Sequence, residues 1–278
     1  RLRQDEGDGR RRRHRPGRVV LTDPALPSFR LDGRTALVTG AGRGIGRTLA
    51  LGLAEAGADI VALSRSAGEL DSIAAEIRAL GRAASTLVCD VTKTAEMQAA
   101  IAALPTLDIL VNNAGTNIPE PFVDVKEESL DTLLALNVKA AFLVAQAAAR
   151  RMLKDSDRQA RGGAIVHISS QLGHVSLIDR SVYSMTKHAV EGMNKAMATE
   201  LAMTGIRVNA VAPTWVETPM TGPALADPKF REFILSCVPM GHLAQMRDIT
   251  GAVVFLCSPA AAMITGTSLL VDGGWTAR

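Results

Sequence analysis

Aromatic residues are scarce, 3% of the 278 residues: six phenylalanines, two tryptophans and one tyrosine. Cysteine is scarcer. Cys89, Cys237 and Cys257 are odd in number, far apart and in neither a Cys-x-x-Cys nor a zinc-finger spacing. They read as free thiols of a core, and this excludes a disulfide frame or a cysteine metal site. No apolar run reads as long enough to span a bilayer, and no internal repeat or low-complexity linker follows Leu31. Residues 1–20 lack the apolar centre of a secretory leader, and Asp5, Glu6 and Asp8 fit an organelle transit peptide poorly. A cytoplasmic protein without a membrane partner is expected.

Basic charge is also lacking where it would count. The formal net charge is +3, but residues 1–20 hold eight arginines against three acids, so that arm carries +5 and the rest is close to −2. A mildly acidic body has no footprint for a phosphate backbone, which argues against nucleic acid as a partner. Residues 1–30 read as a basic, disordered arm, whose Arg10-Arg11-Arg12-Arg13-His14-Arg15 run could bind polyanions. The length and the 47% hydrophobic content fit one domain over residues 31–278.

That domain alternates short β-branched or apolar runs with helical stretches. Strands are expected at 35–38, 60–63, 85–89, 109–111, 164–168, 207–211 and 268–271, and a long helix at 181–201. The pattern is a βαβ series, giving an α/β fold with a doubly wound, seven-stranded parallel sheet that binds ligands beyond the carboxyl ends of its strands. The least regular stretch, residues 213–239, is interrupted by five prolines. It reads as a small helical insertion or lid and the natural place for substrate selectivity.

Thr39-Gly40-Ala41-Gly42-Arg43-Gly44-Ile45-Gly46 follows the first strand and opens a helix. Gly40, Gly44 and Gly46 lack Cβ atoms and let the backbone approach a pyrophosphate at a positive helix end. At the end of the second strand, where an NAD site carries a carboxylate, the chain has Ser64-Arg65. Arg65 together with Arg43 suits a ribose 2′-phosphate, so NADP(H) is favoured over NAD(H). Farther on, Tyr183 and Lys187 lie four apart in the long helix and share one face. A phenol near pKa ~10 gains acidity from an adjacent cation, about 1.4 kcal/mol per unit shifted.

Thr39-Gly40-x-x-x-Gly44-x-Gly46, Cys89-Asp90-Val91, Asn112-Asn113-Ala114-Gly115, Asn137, Ser170, Tyr183-x-x-x-Lys187 and Val271-Asp272-Gly273-Gly274, in this order, resemble the short-chain dehydrogenase/reductase family over nearly all of the folded chain. The resemblance implies a Rossmann-type fold and a homotetramer formed by the helices around 125–152 and 181–203 with the C-terminal segment. It implies that Asp90 and Val91 contact adenine, that Asn113, Ala114 and Gly115 line the adenosine side, and that Pro213, Val216 and Thr218 approach the nicotinamide. Tyr183 would exchange a proton with the substrate oxygen, Ser170 would hydrogen-bond that oxygen, Lys187 would hold the nicotinamide ribose, and Asn137 would position a relay water. Thr214 departs from the family's usual glycine after Pro213.

Gln171 and His174 are candidates for hydrogen bonds to a polar substrate, and Trp215, Met220 and Leu225 for an apolar wall. His167 and His188 read as packed or surface residues, and no metal cluster appears. The expected activity is interconversion of a ketone and a secondary alcohol with NAD(P)(H), on a sugar, polyol or sugar acid. Two alternatives stay open. One is a 3-oxoacyl thioester reductase that docks an acidic carrier protein on Arg151, Lys154 and Arg158; the other is a dinucleotide sensor without turnover.

Overall fold

A computed structural model describes residues 25–277; most of the arginine-rich arm, residues 1–24, lies outside the described residues. Seven strands form one parallel sheet: β1 (Thr35–Thr39), β2 (Asp59–Ser64), β3 (Ala84–Val88), β4 (Ile109–Asn112), β5 (Gly163–Ile168), β6 (Ile206–Pro213) and β7 (Ser268–Val271). Their order is β3-β2-β1-β4-β5-β6-β7, so the winding reverses between β1 and β4. A crevice opens at such a switch point, at the carboxyl ends of the strands.

Strand alternation explains why both faces are covered. In β1, Ala36 and Val38 point into one core and Leu37 into the other, all three fully buried. The first core is closed by α1 (Gly44–Glu55), α2 (Ala67–Ala79) and α10 (Met246–Cys257), through Leu49, Leu53, Ile73, Ile77, Ile249 and Val253. The second is closed by α3 (Thr94–Ala102), α5 (Ala141–Met152) and α7 (Ser181–Leu201), through Met97, Ile101, Val144, Ala148 and Ala198. Phe29 stacks on Phe255 with ring centroids 6.0 Å apart, so packing begins just before residue 31.

The amino ends of the strands are tied by a buried ion cluster. Asp108, with no exposed surface, takes Arg158 at 3.0 Å and Arg161 at 2.8 Å, and accepts the Thr35 N–H at 2.9 Å. Arg158, in α6 (Arg158–Arg161), also donates to the carbonyls of Leu107, Met152 and Gly162, while Arg151 donates to those of Leu104 and Pro105 and to Asp155. This corrects the expected carrier-docking patch: Arg151 and Arg158 are buried, with their donors turned inward to carbonyls and acids.

One helical segment passes a length-and-composition test without being an unbroken apolar run. Glu127–Met152, comprising α4 (Glu127–Leu133), a π-turn (Leu134–Ala140) and α5, is long and apolar enough to cross a membrane by length and composition, but half of its most apolar window is buried inside the fold. Residues 213–239 carry α8 (Gly222–Leu225) and α9 (Pro228–Ser236), with a small core of their own around Trp215, Leu225, Ile234, Val238 and Trp275.

Candidate active site

β1 delivers the glycine turn to the crevice. Gly44 has φ +55°, a conformation open to glycine, and a Cβ on Gly46 would overlap the Gly40 carbonyl oxygen, so only glycine lets α1 start this close to the strand. The N-cap Arg43 makes no side-chain hydrogen bond to the first turn of α1, which leaves backbone N–H groups for an anion. Ile45 is half-buried beside them and Arg43 is exposed. Thr39 Oγ1 accepts the N–H groups of Asn113 and Ala114, each at 3.0 Å, and Asn113 Nδ2 donates to the Thr39 carbonyl at 2.9 Å. The Asn113 side chain therefore clamps β4 to β1 and sets the crevice width.

Arg65 projects into solvent from the end of β2, and its Nη1 lies 4.0 Å from Asp90. The hydroxyl and N–H of Thr92 hold the Asp90 carboxyl below the usual carboxylate range. Val91 is buried beneath it. Sequence reasoning missed Glu69, whose carboxylate fills the space over Gly42, close to Ser64. Ser66-x-x-Glu69 has the spacing of a capping box, yet the Ser66 N–H donates to Ser64 Oγ and leaves Glu69 free to lean across.

β5 and α7 bring the chemical groups together. Lys187 is buried, with Nζ donating to the Ile168 carbonyl at 2.8 Å and standing 5.6 Å from the centre of the Tyr183 ring. Burial drives its ammonium down to about 8, against the pull of Glu191. Tyr183 is half-buried. Burial pushes its phenol up to about 12, while a hydrogen bond with Ser170 and the charge of Arg180 pull the other way. Ser170 Oγ accepts the Leu172 N–H at 3.1 Å and donates to Gln171 Oε1 at 3.0 Å, so the buried Gln171 orients the serine. His167 is buried and held down at about 4 by desolvation, and His188 is exposed with Nδ1 on the Ser184 carbonyl.

Asn137 sits in the π-turn. Its Nδ2 donates to the Thr116 carbonyl and to Thr186 Oγ1, and its Oδ1 accepts the Thr116 N–H. The side chain thus pins helix 127–152 to α7 and to the loop after β4. The Gly115 backbone packs against it: a Cβ there would lie 3.2 Å from Asn137 Oδ1.

The remaining candidates divide. Trp215 is buried, edge-on to Phe230 at 5.2 Å, while Met220 is exposed. The His174 imidazole is engaged by Ser268 at 3.0 Å and Glu191 at 3.4 Å. Pro213 ends β6, the Thr214 N–H reaches the Val271 carbonyl, and Thr214 Oγ1 is buried without a partner. The buried Val216 bridges to Ala244, and Thr218 is hydrogen-bonded to Thr221. A cleft of about 410 Å³ lies along Thr218, Pro219, Gly222 and Leu225. Its Pro219 would be 3.9 Å from a Cβ on Gly44, so the 213–239 segment reaches the glycine turn. Asp272 accepts the N–H groups of Gly274 and Thr276, shaping the turn that returns the chain to Met240.

A glycine turn at the switch point and a half-buried tyrosine paired with a buried lysine, facing a strand-end serine, are what a nicotinamide oxidoreductase requires. A family model described as enoyl-(acyl carrier protein) reductase matches residues 40–276. The chain is a short-chain dehydrogenase/reductase. It is 39% identical over 251 residues to L-xylulose reductase of Bos taurus, covering 90% of this chain and 99% of the relative. It is 40% identical to gluconate 5-dehydrogenase of Gluconobacter oxydans, covering 89% and 96%. The crystal structure of a gluconate 5-dehydrogenase from Burkholderia cenocepacia, in complex with NADP and tartrate, superposes with a TM-score of 0.86 at 39% identity, covering 92% of this chain and all of that one. This short-chain dehydrogenase/reductase is therefore a CH–OH oxidoreductase using NAD(P). Arg180 and Glu69 had no place in the sequence reading, although both flank groups it named.

Proposed function

We propose that this enzyme is a cytoplasmic, NADP(H)-dependent reductase that interconverts a ketone and a secondary alcohol on a small polyhydroxylated substrate. The observation that carries the reading is the constellation of Ser170, Tyr183 and Lys187 at the carboxyl end of β5, with Lys187 Nζ on the Ile168 carbonyl and 5.6 Å from the Tyr183 ring centre. A phenol at about 12 holds its proton throughout the neutral range, which suits a donor to a carbonyl oxygen. Ser170 turns its one hydroxyl hydrogen from Gln171 Oε1 to that oxygen when substrate binds, and bound NADPH would supply the hydride. Lys187 keeps its charge below about pH 8 and holds the nicotinamide ribose. Asn137, whose two amide hydrogens go to Thr116 and Thr186, fixes the π-turn beside Lys187's helix and so would position a relay water that extends the proton path from Lys187.

Arg65 and Arg43 hold the 2′-phosphate; the relative from Burkholderia cenocepacia with NADP supports this choice. Asp90 and Val91 flank the adenine, Ala114 and Gly115 the adenosine ribose, and Val216 and Thr218 the carboxamide end. Residues 213–239 act as a lid, with Met220 at its rim. Exposed Phe142 and Met185 on the two helical segments 127–152 and 181–201 support a tetramer.

Titration with NADPH and NADH tests the cofactor half. NADPH is expected to bind at least tenfold more tightly, and the double variant Arg43→Ala, Arg65→Ala is expected to erase the difference; NADH preference in the unaltered protein would sink it. Ketose reduction by NADPH tests the rest. Tyr183→Phe should bind NADPH normally and lose about 10³-fold or more in kcat, within the range of a general acid.

A further inference from the structure

Three arginines are buried among the described residues, and two of them are saturated. Arg151 and Arg158 each have a carboxylate within 3.0 Å and at least two backbone carbonyls. Arg180, 7% exposed, is different. Its Nη1 donates to the carbonyl of its own neighbour Asp179, its Nε is buried without a partner, and among the described residues no carboxylate lies within 4.0 Å of its guanidinium. Burial depresses its pKa, and the opposite charge that acts on it most is the exposed side chain of Asp179. A charge taken out of water without a partner is costly, and structures tolerate the cost where a ligand supplies the missing ion.

The surroundings say where that ligand sits. The guanidinium carbon lies 5.9 Å from the centre of the Trp215 ring, and its charge acts on the Tyr183 phenol. It is therefore at the reacting end of the crevice, whereas a pyrophosphate belongs at the glycine turn. Two further polar atoms nearby in the chain are buried and unsatisfied: Ser181 Oγ, next to Arg180, and Thr214 Oγ1, next to Trp215. Asp179, with φ +59°, is the non-glycine residue in left-handed conformation among the described residues. Its carbonyl is anchored by the Glu120 N–H at 3.2 Å, so backbone strain is accepted where Arg180 is presented.

We propose that Arg180 is the substrate-carboxylate receptor, so that the enzyme acts on sugar acids, polyhydroxylated carboxylates bearing the reacting keto or hydroxyl group, in preference to neutral ketoses and polyols. One guanidinium edge matches one carboxylate in a two-pronged pair. The proposal rests on the ketone–alcohol reading above and narrows its substrate.

The test compares 5-keto-D-gluconate with the neutral ketose D-fructose, each reduced by NADPH, in the unaltered enzyme, Arg180→Met and Arg180→Lys. The unaltered enzyme should favour the keto acid by kcat/KM at least 30-fold. Arg180→Met should lower that ratio about 30- to 100-fold, chiefly through KM, the scale of a charge-assisted pair, and Arg180→Lys should restore part of it. Thermal unfolding separates this role from a structural one. Arg180→Met should unfold at or above the temperature of the unaltered protein, whereas Arg158→Met should unfold well below it. A keto acid to ketose ratio unmoved by Arg180→Met, or a preference for the neutral ketose, would overturn the proposal. If neither ketone is turned over, the ketone–alcohol reading fails. Titration of the NADP⁺-loaded protein with D-gluconate then decides on Arg180 alone: at least tenfold weaker binding by Arg180→Met supports the receptor, and equal binding refutes it.

Discussion

Lys187 shows how a single residue trades stability for chemistry. Its pKa falls from 10.5 unfolded to about 8 folded, so the unfolded state binds the proton more strongly between those values. Stability from this group is present above pH 10.5 and is lost as pH falls through about 8; at neutral pH the buried charge costs about 3 kcal/mol. Lys187→Met should therefore raise the unfolding free energy at pH 7, by about 1–3 kcal/mol after loss of the bond to Ile168, while abolishing turnover. Urea denaturation beside a rate assay checks both. Reductive kcat/KM should decline above about pH 8, where Lys187 and not Tyr183 loses its proton; Lys187→Arg, protonated to pH ~12 and beyond, should lack that limb. The spacing of Tyr183 and Lys187 made this pair legible in the sequence. Arg180 was not, because an arginine opening a helix reads as solvated until the fold closes Trp215 against it. Arg151 and Arg158 read as a patch for the same reason: part of what consumes them, the carbonyls of Leu104, Pro105 and Leu107, lies more than forty residues away.

At the scale of elements, the sheet was readable because its central strands β1, β2, β4, β5 and β6 bury both faces and so appear as short apolar runs, and the helix 181–201 was readable by its length. What the strands could not announce is how they are held at the end remote from the chemistry. Asp108 joins the start of β1 to α6 through three arginines and one backbone N–H. Asp108→Asn leaves those guanidinium groups short of a counter-ion and should cost about 3–5 kcal/mol, read as a lower urea midpoint. The folded fraction should keep its kcat, since the cluster lies at the opposite ends of the strands from Tyr183. The π-turn at Leu134–Ala140 was also invisible beforehand, because its i→i+5 register leaves no composition signal. It surfaces only through Asn137, which the turn aims at Thr116 and Thr186.

For the whole molecule, helices 127–152 and 181–201 each cover the sheet with one face and leave Phe142 and Met185 nearly half exposed on another. Apolar surface of that kind is what a subunit contact uses. Under the proposed tetramer, Phe142→Glu is expected to shift the particle to smaller species in light scattering, with the monomer fold retained in circular dichroism; an unchanged particle size would remove this face from the contact. Tyr183 has a different distinction at this scale, being the one phenol in 278 residues. The near-ultraviolet absorbance of tyrosinate is then a private optical signal of this side chain, without any label or substitution. An alkaline spectrophotometric titration of the intact enzyme follows a single proton, and repeating it with NADP⁺ bound reads how far the cofactor's positive ring lowers the phenol from about 12.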